Sequence, residues 1–132
     1  MEFVKFYNAK TALEDIEYDL GKVRDTLKEL DEYVARLSNV AKVESRMLKL
    51  GAGGGYGKLT YSHLNFTVKI HLMSPTGEVL KDLSEVRRYL AQIEEALAKA
   101  REALKALGDE YRGLSMIGVA IDNGEVKLLL IA

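Results

Sequence analysis

Between Thr11 and Leu50 the apolar residues are spaced as only a long helix can use them. Leu13, Ile16, Leu20, Val23, Leu27, Leu30, Val34 and Leu37 follow one another in steps of three and four, which is a heptad seam. Thr11-Ala-Leu-Glu14 opens the run as a capping box. The seam resumes at Val40, Val43, Met47 and Leu50 after a repeated step of three. That stammer coincides with Ser38 and Asn39, two poor helix formers, and predicts a kink or break there. Unbroken, residues 11–50 make a rod of about 60 Å. A compact domain of this length has a radius of gyration of only about 14 Å. The helix must therefore bend or project, and its seam is longer than one small domain can cover. Self-association, as a dimer or tetramer, is the expected answer.

Around this helix the chain reads as strands and one further helix. Glu2–Tyr7 is short, aromatic and β-branched, a strand ended by Asn8. Gly51-Ala-Gly-Gly-Gly-Tyr-Gly57 is a loop, and Lys58–Met73 then alternates. One row is Leu64, Phe66, Val68, Ile70 and Leu72; the other is Tyr61, His63, Asn65, Thr67, Lys69 and His71. This predicts one long strand with a dry and a wet face. Ser74-Pro-Thr-Gly77 is a turn, and Asp82-Leu-Ser-Glu85 is a second capping box. It leads a seam at Leu83, Val86, Leu90, Ile93, Leu97, Ala100, Leu104 and Leu107 that stops at Gly108. Leu114–Ile121 and Val126–Ile131 are strands joined by the hairpin signal Asp122-Asn123-Gly124. The expectation is a single α+β domain over residues 1–132, ordered β-α-β-α-β-β. A four-stranded, mainly antiparallel sheet carries the two heptad helices on one face.

Several function classes find no support in the letters. There is no cysteine, hence no disulfide, thiolate metal site or thiol nucleophile. No apolar run approaches the roughly 20 residues of a membrane span, and the first ten residues lack a secretory signal's apolar core, so a cytoplasmic protein is expected. Gly57-Lys58 fits the end of a phosphate-binding loop, but Leu59 stands where Ser or Thr belongs and Ala52 replaces the first glycine. His63 and His71, eight residues apart on one strand, are about 26 Å from each other and cannot share a metal ion. The acidic pairs Glu94-Glu95 and Asp109-Glu110 are sequence neighbours and do not face one another. No acid/base constellation, cofactor motif or metal set emerges, and the reading is non-enzymatic.

Charge says more. The net charge is only −1, yet from Arg36 to His71 six basic residues (Arg36, Lys42, Arg46, Lys49, Lys58, Lys69) meet one acid, Glu44. The rest of the chain holds thirteen basic and nineteen acidic residues. The basic segment includes the wet row with Tyr61, His63, Lys69 and His71. In the first strand Phe3, Lys5 and Tyr7 share the row opposite Val4 and Phe6, and Tyr56 stands in the glycine loop near Lys58. Rings interleaved with cations suit single-stranded nucleic acid, where cations follow phosphates and each stacked base is worth about 1–3 kcal/mol. Lys5, Arg36, Lys42, Arg46, Lys49, Lys58 and Lys69 are the candidate phosphate contacts. Phe3, Tyr7, Tyr56 and Tyr61 are the candidate stacking rings, with His63 and His71 secondary. A subunit interface would use the same wet-face aromatics equally well.

The small β/α domain with long helices, the low Asn and Gln content and the many charges resemble the ThermoDBP-type single-stranded DNA-binding proteins of hyperthermophilic archaea. The resemblance is architectural and compositional and spans nearly the whole chain. It implies sequence-tolerant binding of single-stranded DNA, with RNA as an alternative, by a homo-oligomer whose subunits form a channel or cleft. It implies no cofactor. A second architecture, the helix–hairpin–helix of prefoldin-like chaperone or scaffold subunits, fits residues 11–107 but not the strands at either end.

Overall fold

The computed structural model describes the backbone of residues 2–50, 58–63, 66–71 and 76–132, and side chains within 2–47 and 79–132. Among the described residues, five strands and two long helices follow in the order β1 (Phe3–Asn8), α1 (Ala12–Leu50), β2 (Lys58–His63), β3 (Phe66–His71), α2 (Thr76–Leu107), a 3-10 turn (Gly108–Gly113), β4 (Met116–Asp122) and β5 (Glu125–Ile131). The α+β class is as expected, but the four-stranded sheet and the β-α-β-α-β-β order are not. The strands form a three-stranded antiparallel sheet, β1-β4-β5, and a separate antiparallel pair, β2-β3. The long strand expected over 58–73 is the pair, folded back between His63 and Phe66. The letters between them, Leu64 and Asn65, include no glycine and lie outside the described residues.

Two compact units result, one from residues 1–28 with 87–132 and one from residues 29–86. In the first, β4 is the central strand, and its large residues decide which face is covered. Ile117, Val119 and Ile121 alternate with Gly118 and Ala120, and the large row lies in the core with Ile16 and Leu20 of α1 and Ile93, Leu97 and Leu104 of α2. Ala12, Ala96 and Ala100 are also buried there and let the elements approach closely. The two helices run antiparallel in this unit, as the pairs Glu17–Lys105 (3.9 Å) and Arg24–Glu94 (3.5 Å) record.

Helix boundaries follow local chemistry more than the capping boxes. Asn8 Oδ1 accepts from the Lys10 amide at 2.9 Å, and the Thr11 hydroxyl donates to Asp15 rather than closing a box with Glu14. Glu14 instead meets Arg112, which also donates to the Lys10 carbonyl at 3.2 Å. Of the kink or break expected at Ser38-Asn39, the break does not occur: α1 is one element, and the Ser38 hydroxyl donates to the Val34 carbonyl four residues back. Helix α2 starts at Thr76, so Asp82 and Glu85 lie inside it. Val79 and Leu80 continue the seam one turn upstream, which outweighs the cap signal. The C-terminal end matches expectation, with Gly108 at φ 73° just past the last helical turn. Asn123 (φ 51°) and Gly124 (φ 77°) form the β4–β5 turn with both central residues left-handed.

Candidate nucleic-acid interface

The row Phe3, Lys5, Tyr7 faces the helices, not open solvent. It lies beside Ile121, Val119 and Ile117 of β4, the large row of the core. Tyr7 is 5% exposed, and its hydroxyl donates to Asp19 Oδ2 at 2.7 Å. Its ring offers no free face to a base, which corrects its expected stacking role. Lys5 reaches the same carboxylate oxygen at 2.5 Å, with its ammonium 5.2 Å from the Tyr7 ring centre. Lys5 is therefore a paired cation. Phe3 is half-buried against the core. With Val23 of α1 and Ile93 and Leu97 of α2, these side chains line a hollow of about 220 Å³ whose rim carries Asp19 and Lys22.

The network has a definite acid–base character. Burial, reinforced by the bond to Asp19, pushes the Tyr7 hydroxyl far above its ordinary range, so it stays a donor. Burial pulls the Asp19 carboxyl upward, but hydrogen bonds from Lys5 and Tyr7 outweigh it and hold the group below the usual carboxylate value. A depressed folded pKa adds stability above the unfolded carboxylate range, near about pH 3.9, and loses it as pH falls through the folded value. Urea midpoints measured from pH 6 down to pH 2 should show Asp19→Asn with a flatter acid limb than wild type. Tyr7→Phe should cost about 1.5–3 kcal/mol at neutral pH, the worth of one hydrogen bond to a charged group.

Two neighbours were not legible as site residues. Tyr18 is 64% exposed, and Lys22 sits one helical turn on with its ammonium 4.7 Å from the Tyr18 ring centre. Their i,i+4 spacing was the available signal.

In the unit of residues 29–86, Arg36 lies over the Tyr33 ring, 5.7 Å from its centre. Tyr33 is half-exposed, and Arg36, Lys42 and Arg46 are all exposed on α1. Lys42, Arg46 and Lys49 follow at steps of four and three, one stripe of the helix. Lys58, Tyr61, His63, Lys69 and His71 belong to β2 and β3 in this same unit. Their register changes the expected wet row. Tyr61 opposes Val68 and His63 opposes Phe66, whereas Lys69 opposes Thr60 and His71 opposes Lys58. Opposed residues share a sheet face, so Tyr61 and His63 fall on a different row from Lys69 and His71. Folding one strand into two reverses the parity between its halves. Tyr56 and the rest of the glycine loop lie outside the described residues.

The uncovered face of the three-stranded sheet is apolar, not wet. Val4 and Phe6 of β1 are each 44% exposed, with Met116 and Ile131 also exposed and Leu129 half-buried. Phe6 lies over Gly118, where an added Cβ would come within 2.8 Å of its ring. Lys127, the cation on this face, is held by Asp122 at 3.3 Å.

Among the described residues, no group of His, Asp or Glu is arranged to hold a metal ion, and no helix is long and apolar enough to cross a membrane. No family model matches the chain, and neither a curated protein nor a solved structure shows significant similarity to it.

Proposed function

We propose that this chain is a non-enzymatic, largely sequence-independent binder of single-stranded DNA, with RNA a second substrate, working as a homo-oligomer. One observation carries the reading. The segment from Arg36 to His71 concentrates six basic residues against one acid, in a chain of net charge −1, and Arg36, Lys42 and Arg46 stand exposed on one helix. Cations so placed displace counterions from phosphates, and the half-exposed Tyr33 ring under Arg36 offers a stacking surface. The apolar open face of the β1-β4-β5 sheet supports the homo-oligomer, because a protein–protein contact uses such a patch whereas a polyanion does not.

The test is fluorescence anisotropy of a labelled oligo-dT strand, at low and moderate salt, beside a duplex of equal length. The expected result is saturable binding to the single strand, weakening with a log–log salt slope near −0.7 for each neutralised phosphate. No binding at low salt rejects the reading.

A second reading draws on a specific observation. The β2–β3 hairpin joins two long helices, as in prefoldin-like helix–hairpin–helix subunits, and Tyr33, Val40, Val43, Val79 and Val86 are exposed in that unit. A chain that ignores oligo-dT but suppresses aggregation of an unfolded protein belongs to that class.

A further inference from the structure

We infer that the hollow beside β1 is a binding site for one nucleoside monophosphate unit, free or within a strand. The base would lie on the apolar floor and the phosphate against Lys22. The choice of a nucleotide as ligand rests on the nucleic-acid reading, while the hollow itself stands on geometry in the unit of residues 1–28 and 87–132.

Size comes first. At about 220 Å³ the hollow is smaller than the roughly 300–1,000 Å³ of sites that take drug-sized ligands. That is the scale of one flat ring system rather than of a larger ligand. Its floor is the half-buried Phe3 and Val23 with the buried Ile93, surfaces that gain by covering an aromatic ring.

The rim supplies polar groups of the right kind. Lys5 and Tyr7 both bond to Oδ2 of Asp19, so Oδ1 accepts neither of them. A carboxylate oxygen fixed at the edge of an apolar floor is an acceptor for the N–H groups that every nucleobase carries on its edge. Lys5 pairs with that carboxylate, and Lys22 is the second cation of the lining. A neutral apolar ligand would leave Lys22 unused, and a bare anion would leave the floor uncovered. A base joined to a phosphate uses both. The exposed Tyr18 ring beside Lys22 gives the next base of a strand a surface to stack on.

The experiment is an amide NMR titration of the full chain with thymidine 5′-monophosphate. Thymidine and inorganic phosphate run as separate arms, and an oligo-dT strand as a fourth. The expected result is saturable shifts at Phe3, Lys5, Val23 and Ile93, with a millimolar dissociation constant for the monophosphate and weaker effects from either part alone. Lys22→Ala, at an exposed position, should weaken the monophosphate about 5-fold or more and leave thymidine unchanged, the signature of a lost phosphate contact. Val23→Trp should fill the hollow and abolish both. If the monophosphate gives no saturable shift, shifts that map elsewhere, or an affinity indifferent to Lys22→Ala, the site is overturned. A strand that binds while the monophosphate is silent leaves the nucleic-acid reading standing and removes this site. A monophosphate that saturates the hollow while the strand does not bind keeps the site and removes the strand.

Discussion

Ile117→Asp unfolds residues 1–28 and 87–132, at a loss of more than about 4 kcal/mol. Ile117 is fully buried in the central strand, between Tyr7 of β1 and Leu130 of β5. An aspartate there either ionises without a partner or shifts its pKa to stay neutral, and both cost free energy. It also removes one of the two isoleucines of its row. Leu20→Ala, which creates a cavity without burying a charge, should cost about 3 kcal/mol, and Ile117→Val about 1 kcal/mol. Urea titration by circular dichroism ranks the three. Amide exchange read separately over residues 29–50 and 76–86 shows whether the second unit keeps its helical protection in Ile117→Asp. If Ile117→Asp unfolds with a midpoint near that of Ile117→Val, the core assignment is wrong.

The second large effect is on binding. Lys42→Glu with Arg46→Glu, two exposed changes one helical turn apart, should lower affinity for oligo-dT about 100-fold at low salt while leaving the melting curve within a few degrees of wild type. The pair Lys42→Ala with Arg46→Ala separates the causes. Two lost phosphate contacts reduce the salt slope by about 1.4. Charge reversal that leaves both affinity and slope unchanged would exclude this stripe from the interface. Both changes lie in residues 29–86 and Lys22 lies in the other unit, so the two proposed sites are tested independently.

Both long helices, the C-terminal hairpin and its turn were legible in the sequence, because each rests on local signals: heptad spacing, a glycine past the helix end, Asn-Gly between two strands. What was not legible depended on choosing between two rows. In β1 the rows Phe3-Lys5-Tyr7 and Val4-Phe6 are both largely apolar, and the lysine suggested that the first was wet. The decision is made in β4, 108 residues or more away, where Ile117, Val119 and Ile121 provide the bulk and Gly118 and Ala120 do not. The lysine is accommodated by Asp19, a partner that alternation within the strand does not reveal. Similarly, alternation runs unbroken through Leu64 and Asn65, so nothing local marked the fold-back that separates Tyr61 from the row of Lys69. The basic stripe of α1 was readable because it needs only helical spacing.

Pairing across that sequence distance also sets an order of events. Asn8 and Met116 are partners 108 residues apart. Closing an unstructured loop of that length costs about 4 kcal/mol of chain entropy, so the two strands cannot meet first. The zipping of α1 against α2 must shorten the gap before β1 finds β4. On a ribosome adding about 5–20 residues per second, β1 waits roughly 5–20 s for its partner strand to be made. Throughout that interval Val4 and Phe6 sit on a strand with neither hydrogen-bonding edge satisfied. A half-made chain is therefore more prone to stick to its neighbours than a finished one, and a chaperone acting during translation would find its target in the first eight residues.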